Sequence, residues 1–438
     1  MSLLVMGISG ILLLFLLFFL KVPIPLAMIS VGYLGYGAIT TFTAANRIAA
    51  GDIFTTFTAY SLSVIPMFVL MGFLGYHSGM GTRLYSFAYK AVGSLPGGLA
   101  MASQVACAIF GAICGSSTAT TATIGSIAIP EMRRYGYSTS LATASIAAGG
   151  ALGIMIPPSV VLVLYGVATE QSIAMLFLAG IIPGLLLTLL YMAAIFMITL
   201  RNPSLGPPAP HSRFNLKILA GSLGGELGGI IFVFTLSLGG LLAGWFTPTE
   251  AGGVGVAGIM LVIRAQKQLT MEVLNNALAD ATRTSAMIFL LIAGAIIFGR
   301  FMTLTRLPLD LASWAGALPF PPFIVLLIIL LIFLVLGTFI DSLPLMLLTV
   351  PIFFPVVVNS LGYDPIWFGV IMVLVVTMGC ITPPVGINVF VVKGIAADVP
   401  LFVIFRGIWP FLIAVFLCCI ILIVFPQLAT FLPQMLRD

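Results

Sequence analysis

Charged side chains are scarce in this sequence. Asp, Glu, Lys and Arg make up 7% of its 438 residues and hydrophobic residues make up 61%, whereas a soluble domain contains roughly 25% charged residues. This composition excludes a soluble enzyme and predicts an all-α polytopic protein of the lipid bilayer, with room for about ten crossings. The net charge of +5 then reports how the loops are oriented, and we expect no nucleic-acid partner.

Patterns that bind metals or carry out catalysis are also missing. Neither His77 nor His211 has another His, Cys or acid at ligand spacing, and the 5 cysteines form no CxxC pair. The sequence contains no P-loop, Rossmann fingerprint or nucleophile elbow, and no acid pair in an apolar run that suits acid–base chemistry. We therefore expect no enzyme and no organic cofactor.

Glycine and proline, in contrast, are plentiful, and their positions repeat. The chain has 46 Gly and 27 Pro, and many of them recur at an offset of 226 residues, the distance from Gly111 to Gly337. The Pro-rich, basic stretch 201–217 is a cytoplasmic linker between two copies, 1–200 and 218–438. Other matched positions are Ser116 and Ser342, Gly153 and Gly379, and Pro157-Pro158 and Pro383-Pro384.

Each copy holds two elements that do not cross the membrane in one piece. The first is a pair of apolar stretches that reach only about 18 to 26 Å, short of a hydrocarbon core of roughly 30 Å, which predicts re-entrant helical hairpins at 98–131 and 321–360. The second is a span interrupted by glycines and a Pro-Pro pair, which predicts broken helices at 138–168 and 365–396.

Basic residues orient the two copies. With five full crossings in each copy the second copy is inverted, and with the N-terminus outside, 13 of the 17 Lys and Arg are cytoplasmic. Only Arg47, Arg300, Arg306 and Arg437 lie outside, as the positive-inside rule predicts. The other predicted segments are scaffold helices in 1–80 and 218–304 (with spans at 3–22, 24–45, 53–76, 218–243, 248–264 and 284–304), interfacial arms at 82–95 and 306–319, and last spans at 172–200 and 401–431.

The turns at the tips of the two hairpins and the breaks in the two interrupted helices supply the candidates for ligand binding. Unpaired backbone at mid-membrane is tolerated where it lines a cavity or binds a ligand; free carbonyls suit a cation such as Na⁺, and free N–H groups suit a carboxylate. Asp341 is the only charge between Asp310 and Asp364, and a charge at mid-membrane costs about 2.5 to 3.5 kcal/mol. We expect Asp341 to bind cation or solute; the alternative is a solvated hairpin end.

Hydroxyl and amide side chains beside these elements have two interpretations each. Ser116, Ser117 and Thr118 either ligate a cation or cap the returning helix. Ser159, which follows the first Pro-Pro pair, either contacts the solute or bonds back to its own helix. Asn388, one turn past the second pair, is a further candidate for contact with the solute.

The segments GGALGIMIPPSVV and TMGCITPPVGINVF, with the tips ICGSSTAT and LGTFIDSLP, resemble the large membrane (M) subunit of tripartite ATP-independent periplasmic (TRAP) transporters, over nearly the whole chain. The resemblance implies Na⁺-driven import of a carboxylate-bearing solute, such as a C4-dicarboxylate, sialic acid or keto acid, across a bacterial inner membrane. It implies two partners, a small four-helix Q subunit and a periplasmic substrate-binding protein. It also implies an elevator mechanism, in which the hairpins and broken helices move against the scaffold.

Site residues follow from the same resemblance. The implied sodium ligands are Ser117, Gly153, Ile154 and Pro157 for one ion and Thr338, Gly379 and Thr382 for a second, and the implied solute contacts are Ser117, Ser159 and Asp341. From their own positions we add Ser116 as a sodium ligand and Asn388 as a solute contact. A stand-alone Na⁺/dicarboxylate or citrate carrier of the same ion transporter superfamily is the alternative. A channel is disfavoured because discontinuous helices around a site fit alternating access better than a continuous pore.

Overall fold

A computed structural model describes residues 2–207, 228–317 and 320–435, and these residues form helices, turns and loops without a strand. The all-α polytopic fold class is thus confirmed. The linker from residue 208 onward, the start of the predicted span 218–243 and Arg437 lie outside the described residues. The helices are α1 (Leu3–Phe19), α2 (Ile24–Ile39), α3 (Phe42–Thr58), α4 (Val64–His77), α5 (Met80–Val92), α6 (Gly98–Cys114), α7 (Ser117–Arg134), α8 (Thr139–Ala151), α9 (Val160–Thr169), α10 (Ile173–Arg201), α11 (Gly228–Leu242), α12 (Pro248–Ala265), α13 (Met271–Leu304), α14 (Leu307–Ala317), α15 (Pro322–Gly337), α16 (Ser342–Phe354), α17 (Pro365–Gly379), α18 (Ile387–Ile395), α19 (Leu401–Val424) and α20 (Gln427–Met435).

Helix length separates two classes of apolar segment. Within the described ranges, five segments are long and apolar enough to cross a membrane, and eight apolar helices are shorter, at 10–17 residues. The shorter class includes α1 and α2 as well as helices beside the tips and breaks, so length alone does not give the number of crossings. The five long segments are Tyr60–His77, Ile173–Arg201, Met271–Leu304, Ser342–Ser360 and Leu401–Val424.

Two predicted scaffold spans, 24–45 and 53–76, are wrong in their bounds. A separate helix, α3, lies between them, because Thr41 caps a new helix by accepting a hydrogen bond from the Ala44 N–H at 3.2 Å. A 3₁₀ turn at Tyr60–Ser63 then leads into α4. A run of apolar residues does not reveal such a cap, which is why the sequence alone extended both spans too far.

The predicted last span 401–431 is also wrong in its end. Helix α19 stops at Val424 and α20 begins at Gln427, on the far side of Pro426. Proline lacks the N–H that would continue the hydrogen-bond ladder, so the helix ends before it.

Helices from the two copies pack against each other. α2 packs along α13, α9 contacts α16, and α18 contacts both α7 and α8. Every residue from Leu141 to Ala151 in α8 and from Ile366 to Thr377 in α17 is buried. Because a helix that is apolar on all its faces must be enclosed by others, α8 and α17 form the centre of the molecule.

Outside the cavity described below, two ion pairs join distant parts of the described chain. Asp52 on α3, whose side chain is 8% exposed, accepts hydrogen bonds from Arg300 Nε at 2.5 Å and Nη2 at 2.7 Å on α13. Arg133 at the end of α7 reaches Asp398, in the loop after α18, at 3.2 Å. The Arg133 guanidinium lowers the pKa of the Asp398 carboxyl, chiefly through this hydrogen bond.

Candidate functional site

Helices are interrupted at both Pro-Pro pairs. α8 ends at Ala151 and, after one 3₁₀ turn, α9 begins at Val160; α17 ends at Gly379 and α18 begins at Ile387. The two prolines are joined by a cis peptide bond in each pair. Between the half-helices, backbone groups lack the partners that a continuous helix would give them, so each interruption presents polar backbone inside an apolar protein.

Short turns form the two tips. Between α6 and α7 only Gly115 and Ser116 intervene, and Gly115 has a φ of +61°, which favours glycine. The Ser116 hydroxyl accepts a hydrogen bond from the Ala119 N–H at 3.4 Å and caps α7. At the second tip the Asp341 carboxylate caps α16, accepting from the Ser342 N–H at 2.7 Å.

In each copy the tip touches the break of the same copy. A Cβ added to Gly153 would lie 2.7 Å from the Ser116 carbonyl oxygen. In the second copy the Gly386 N–H donates to the Thr338 carbonyl at 3.2 Å. In both copies the backbone of the break therefore contacts the backbone of the hairpin.

Contacts also cross between the copies. The 3₁₀ turn of the first break, Leu152–Ile154, contacts α17, the helix that ends at the second break. Asn388 Nδ2, just after that break, donates to the Ala147 carbonyl on α8 at 3.1 Å. The two tips and two breaks thus converge in one region of the molecule.

A cavity of about 530 Å³ lies beside this region. Five of the candidate site residues line it: Ser116, Ser117, Thr118 and Ile154 from the first copy and Asp341 from the second. The predicted residues that do not line it are Gly153, Pro157, Ser159, Thr338, Gly379, Thr382 and Asn388.

Most of the side chains outside the cavity lining hydrogen-bond to nearby backbone. The buried Ser159 hydroxyl donates to the Ile154 carbonyl at 2.6 Å and accepts from the Leu162 N–H, so the back-bonding alternative describes its state here. Thr338 and Thr382 donate to carbonyls of the preceding turn. Asn388 is fully buried, and its Oδ1 has no partner in the described part of the chain.

The sequence did not reveal the opposite wall of the cavity. It consists of scaffold residues on α4 and α13, among them Gly72, Tyr76, Asp280, Arg283 and Thr284. His77 Nε2 pairs with Asp280 Oδ2 at 2.9 Å, across 203 positions of sequence, so local ligand spacing could not have found the pair. The described residues contain no group of three His, Cys, Asp or Glu that could hold a metal ion.

The chemistry of the cavity is that of a binding site. The hydroxyl residues Ser116, Ser117 and Thr118 and one acid, Asp341, line its tip side, and hydroxyl and carboxylate oxygens are among the ligands that hard cations prefer. The Asp341 carboxylate accepts hydrogen bonds only from Ser342 among the residues described, so it keeps ligand capacity toward the cavity.

Known proteins resemble this chain along most of its length. Residues 11–428 match the family described as "Tripartite ATP-independent periplasmic transporter, DctM component". The chain is 37% identical over 391 residues to the C4-dicarboxylate TRAP transporter large permease protein DctM of Pseudomonas aeruginosa, covering 89% of this chain and 90% of that one. It is 33% identical over 420 residues to the sialic acid TRAP transporter large permease protein SiaM of Vibrio cholerae, covering 96% of each.

A longer relative and a solved structure are also similar to this chain. The chain is 36% identical over 383 residues to the isethionate TRAP transporter permease protein DctMQ of Oleidesulfovibrio alaskensis, covering 86% of this chain and 59% of that one. The solved structure of the Alcanivorax borkumensis YdaH transporter is similar in fold, with a TM-score of 0.60 at 14% identity, covering 90% of this chain and 89% of that one.

Proposed function

This chain belongs to the DctM component family of tripartite ATP-independent periplasmic transporters, and we propose that it imports a carboxylate-bearing solute together with Na⁺. Members of the family are large permease subunits for organic acid uptake, not enzymes, and the chain is a multi-pass protein of the bacterial inner membrane. The resemblance seen in its motifs is therefore confirmed. The coupling ion and the solute are the proposed part.

The meeting of Ser117 and Asp341 in one cavity carries this proposal. They come from tips of different copies, and both line the 530 Å³ space. Asp341 faces that space with no cationic partner within ion-pair distance in the described residues. An organic anion that approaches Asp341 before a cation is bound there meets a like charge, which disfavours binding beside this residue. A bound Na⁺ would offset the Asp341 charge, so anion binding would follow cation binding, and this order couples the two fluxes.

We assign the ions to the tip-and-break contacts. One Na⁺ would use Ser116 and Ser117 with the backbone of Gly153, Ile154 and Pro157, and a second would use Thr338, Gly379 and Thr382. The solute would lie against Ser117 and Asp341. Contact of the solute with Ser159 or Asn388 would require those side chains to give up their present bonds to Ile154 and Ala147.

We propose an elevator movement and two protein partners. The hairpins and broken helices would slide together against the scaffold that includes α2, α4 and α13. A small Q subunit would join the scaffold, a pairing suggested by the name DctMQ of the longer relative. A periplasmic substrate-binding protein, the third component of a tripartite system, would deliver the solute.

Reconstituted uptake tests the proposal. The chain would be placed in proteoliposomes with its Q subunit, and uptake of a labelled C4-dicarboxylate or sialic acid would be measured with and without a Na⁺ gradient and the binding protein. We expect uptake only when both are present. Uptake with sodium but without the binding protein would favour the stand-alone carrier, and uptake indifferent to both would overturn the proposal.

A further inference from the structure

The scaffold wall of the cavity carries an arginine, Arg283, that forms no ion pair with any described residue. Arg283, on α13, lines the cavity and is exposed, and no described residue forms an ion pair or a hydrogen bond with it. Asp280, one turn earlier on the same helix, is held by His77 at 2.9 Å. The guanidinium of Arg283 is therefore available to a ligand.

Helix geometry directs this cation into the cavity. The cavity-lining residues of α13 follow the i, i+3, i+4, i+7, i+8 spacing of a single helix face. They are Asp280, Arg283, Thr284, Met287 and Ile288. Ser117 and Asp341 line the same space from the tips, so a solute there would lie between hydroxyls on one side and a guanidinium on the other.

We propose that Arg283 binds the carboxylate of the transported solute at the cytoplasmic side of the cavity, as the last contact before release. A guanidinium holds a carboxylate through two parallel N–H donors, which gives orientation as well as attraction. The inference rests on the proposed function, since it names the scaffold contact of the same site.

The position of Arg283 on the scaffold restricts its contact with the solute to one side of the membrane. Basic residues at this end of α13 are assigned to the cytoplasm, and Arg283 is 12 residues, or about 18 Å, from the helix start at Met271. In an elevator the tips move while α13 stays, so the solute would meet Arg283 only when the tips are on the cytoplasmic side. Arg283 would then set affinity for internal solute and leave external affinity unchanged.

Arg283→Gln in proteoliposomes of known orientation tests this. Solute exchange is measured while internal or external solute is varied, the external arm with the binding protein and Q subunit present. The matched control is Arg264→Gln, which removes an exposed arginine from the end of α12, outside the cavity lining. We expect the internal half-saturating concentration to rise about tenfold in Arg283→Gln, the effect of losing one charge-assisted hydrogen bond, with the external value unchanged.

Arg283→Lys keeps the charge and loses the two-pronged geometry, so its internal value should fall between wild type and Arg283→Gln. Unchanged internal affinity in Arg283→Gln overturns the role of Arg283, and so does an equal rise in Arg264→Gln, which would indicate anchoring at lipid headgroups instead. An equal rise on both sides also overturns it. These results leave the carrier function standing, whereas a wild-type protein that takes up no organic anion with a Na⁺ gradient and the binding protein present contradicts the proposed function itself.

Discussion

The Cα of Gly153 occupies the space that a side chain on Gly111 would need: a Cβ built on Gly111 would lie 2.5 Å from it. The second copy repeats the contact, since a Cβ on Gly379 would lie 2.7 Å from the carbonyl carbon of Gly337. Hairpin backbone thus meets broken-helix backbone in both copies, and small residues allow this approach.

Gly111→Ala should destabilise the protein and reduce uptake. The added methyl group meets backbone, which cannot move aside as a flexible side chain would, so we expect a loss of about 1 to 3 kcal/mol in unfolding free energy. The unfolding midpoint in detergent and the uptake rate measure the effect. Gly253→Ala on α12 is the control, because no atom lies within 4 Å of its added Cβ. Equal midpoints for the two variants would contradict the close contact.

Breaking the Asp52–Arg300 pair from one side should cost more than removing both charges. Arg300→Gln leaves the buried Asp52 carboxylate unpaired, and a stranded buried charge costs about 3 to 5 kcal/mol, an upper bound here because the Arg300 side chain is 51% exposed. A double-mutant cycle with Asp52→Asn, read as unfolding midpoints, measures the coupling. Arg47→Gln, which removes an exposed arginine from α3, should have little effect. Additive midpoints would show that the pair contributes nothing.

We expect the two serines of the first tip to have different roles, one in capping α7 and one in binding the cation. Ser116→Ala removes the cap of α7 and should cost about 1 kcal/mol in stability, while the backbone carbonyl of Ser116 keeps the hydrogen bonds it accepts from the Thr120 N–H at 3.1 Å and the Thr120 hydroxyl at 2.7 Å. Ser117 does not cap the helix and lines the cavity, so Ser117→Ala should raise the Na⁺ concentration needed for half-maximal uptake. Identical sodium dependence in Ser117→Ala and wild type would remove its side chain from the cation site.

Backbone-determined features could be predicted from the sequence, and long-range pairings could not. Pro157-Pro158 and Gly115 act on the backbone locally, so the positions where helices stop could be expected from these residues alone. His77 and Asp280 meet only because α4 and α13 pack together, and no spacing in the sequence encodes that. The sequence alone identifies Arg283 only as one of the basic residues on the cytoplasmic side. Its position on the cavity wall depends on the packing of α4 against α13.

The sequence also could not show which of two possible partners a side chain contacts. Ser159 could face a ligand or its own helix, and only the path of the break, which brings the Ile154 carbonyl within 2.6 Å, decides between them. The helix α3 was missed for a related reason. Its cap at Thr41 is a single hydrogen bond, which apolar periodicity does not report.

In the proposed mechanism the Asp341 charge couples Na⁺ to the organic anion, and Asp341→Asn removes that charge. Asparagine caps a helix as well as aspartate does, so α16 should still begin at Ser342 while the charge is lost. Asp364→Asn is the matched control, because Asp364 caps α17 through the Trp367 N–H at 2.8 Å and lies outside the cavity lining.

Sodium-driven solute uptake should be measured for both variants in the same proteoliposomes, at matched protein content. We predict that uptake by Asp341→Asn no longer responds to the Na⁺ gradient, because the neutral side chain neither attracts the cation nor repels the anion, and that Asp364→Asn keeps the rate and sodium dependence of wild type. Asp341→Asn with the uptake and sodium dependence of wild type would contradict the account, since Asp341 would then serve only as a helix cap.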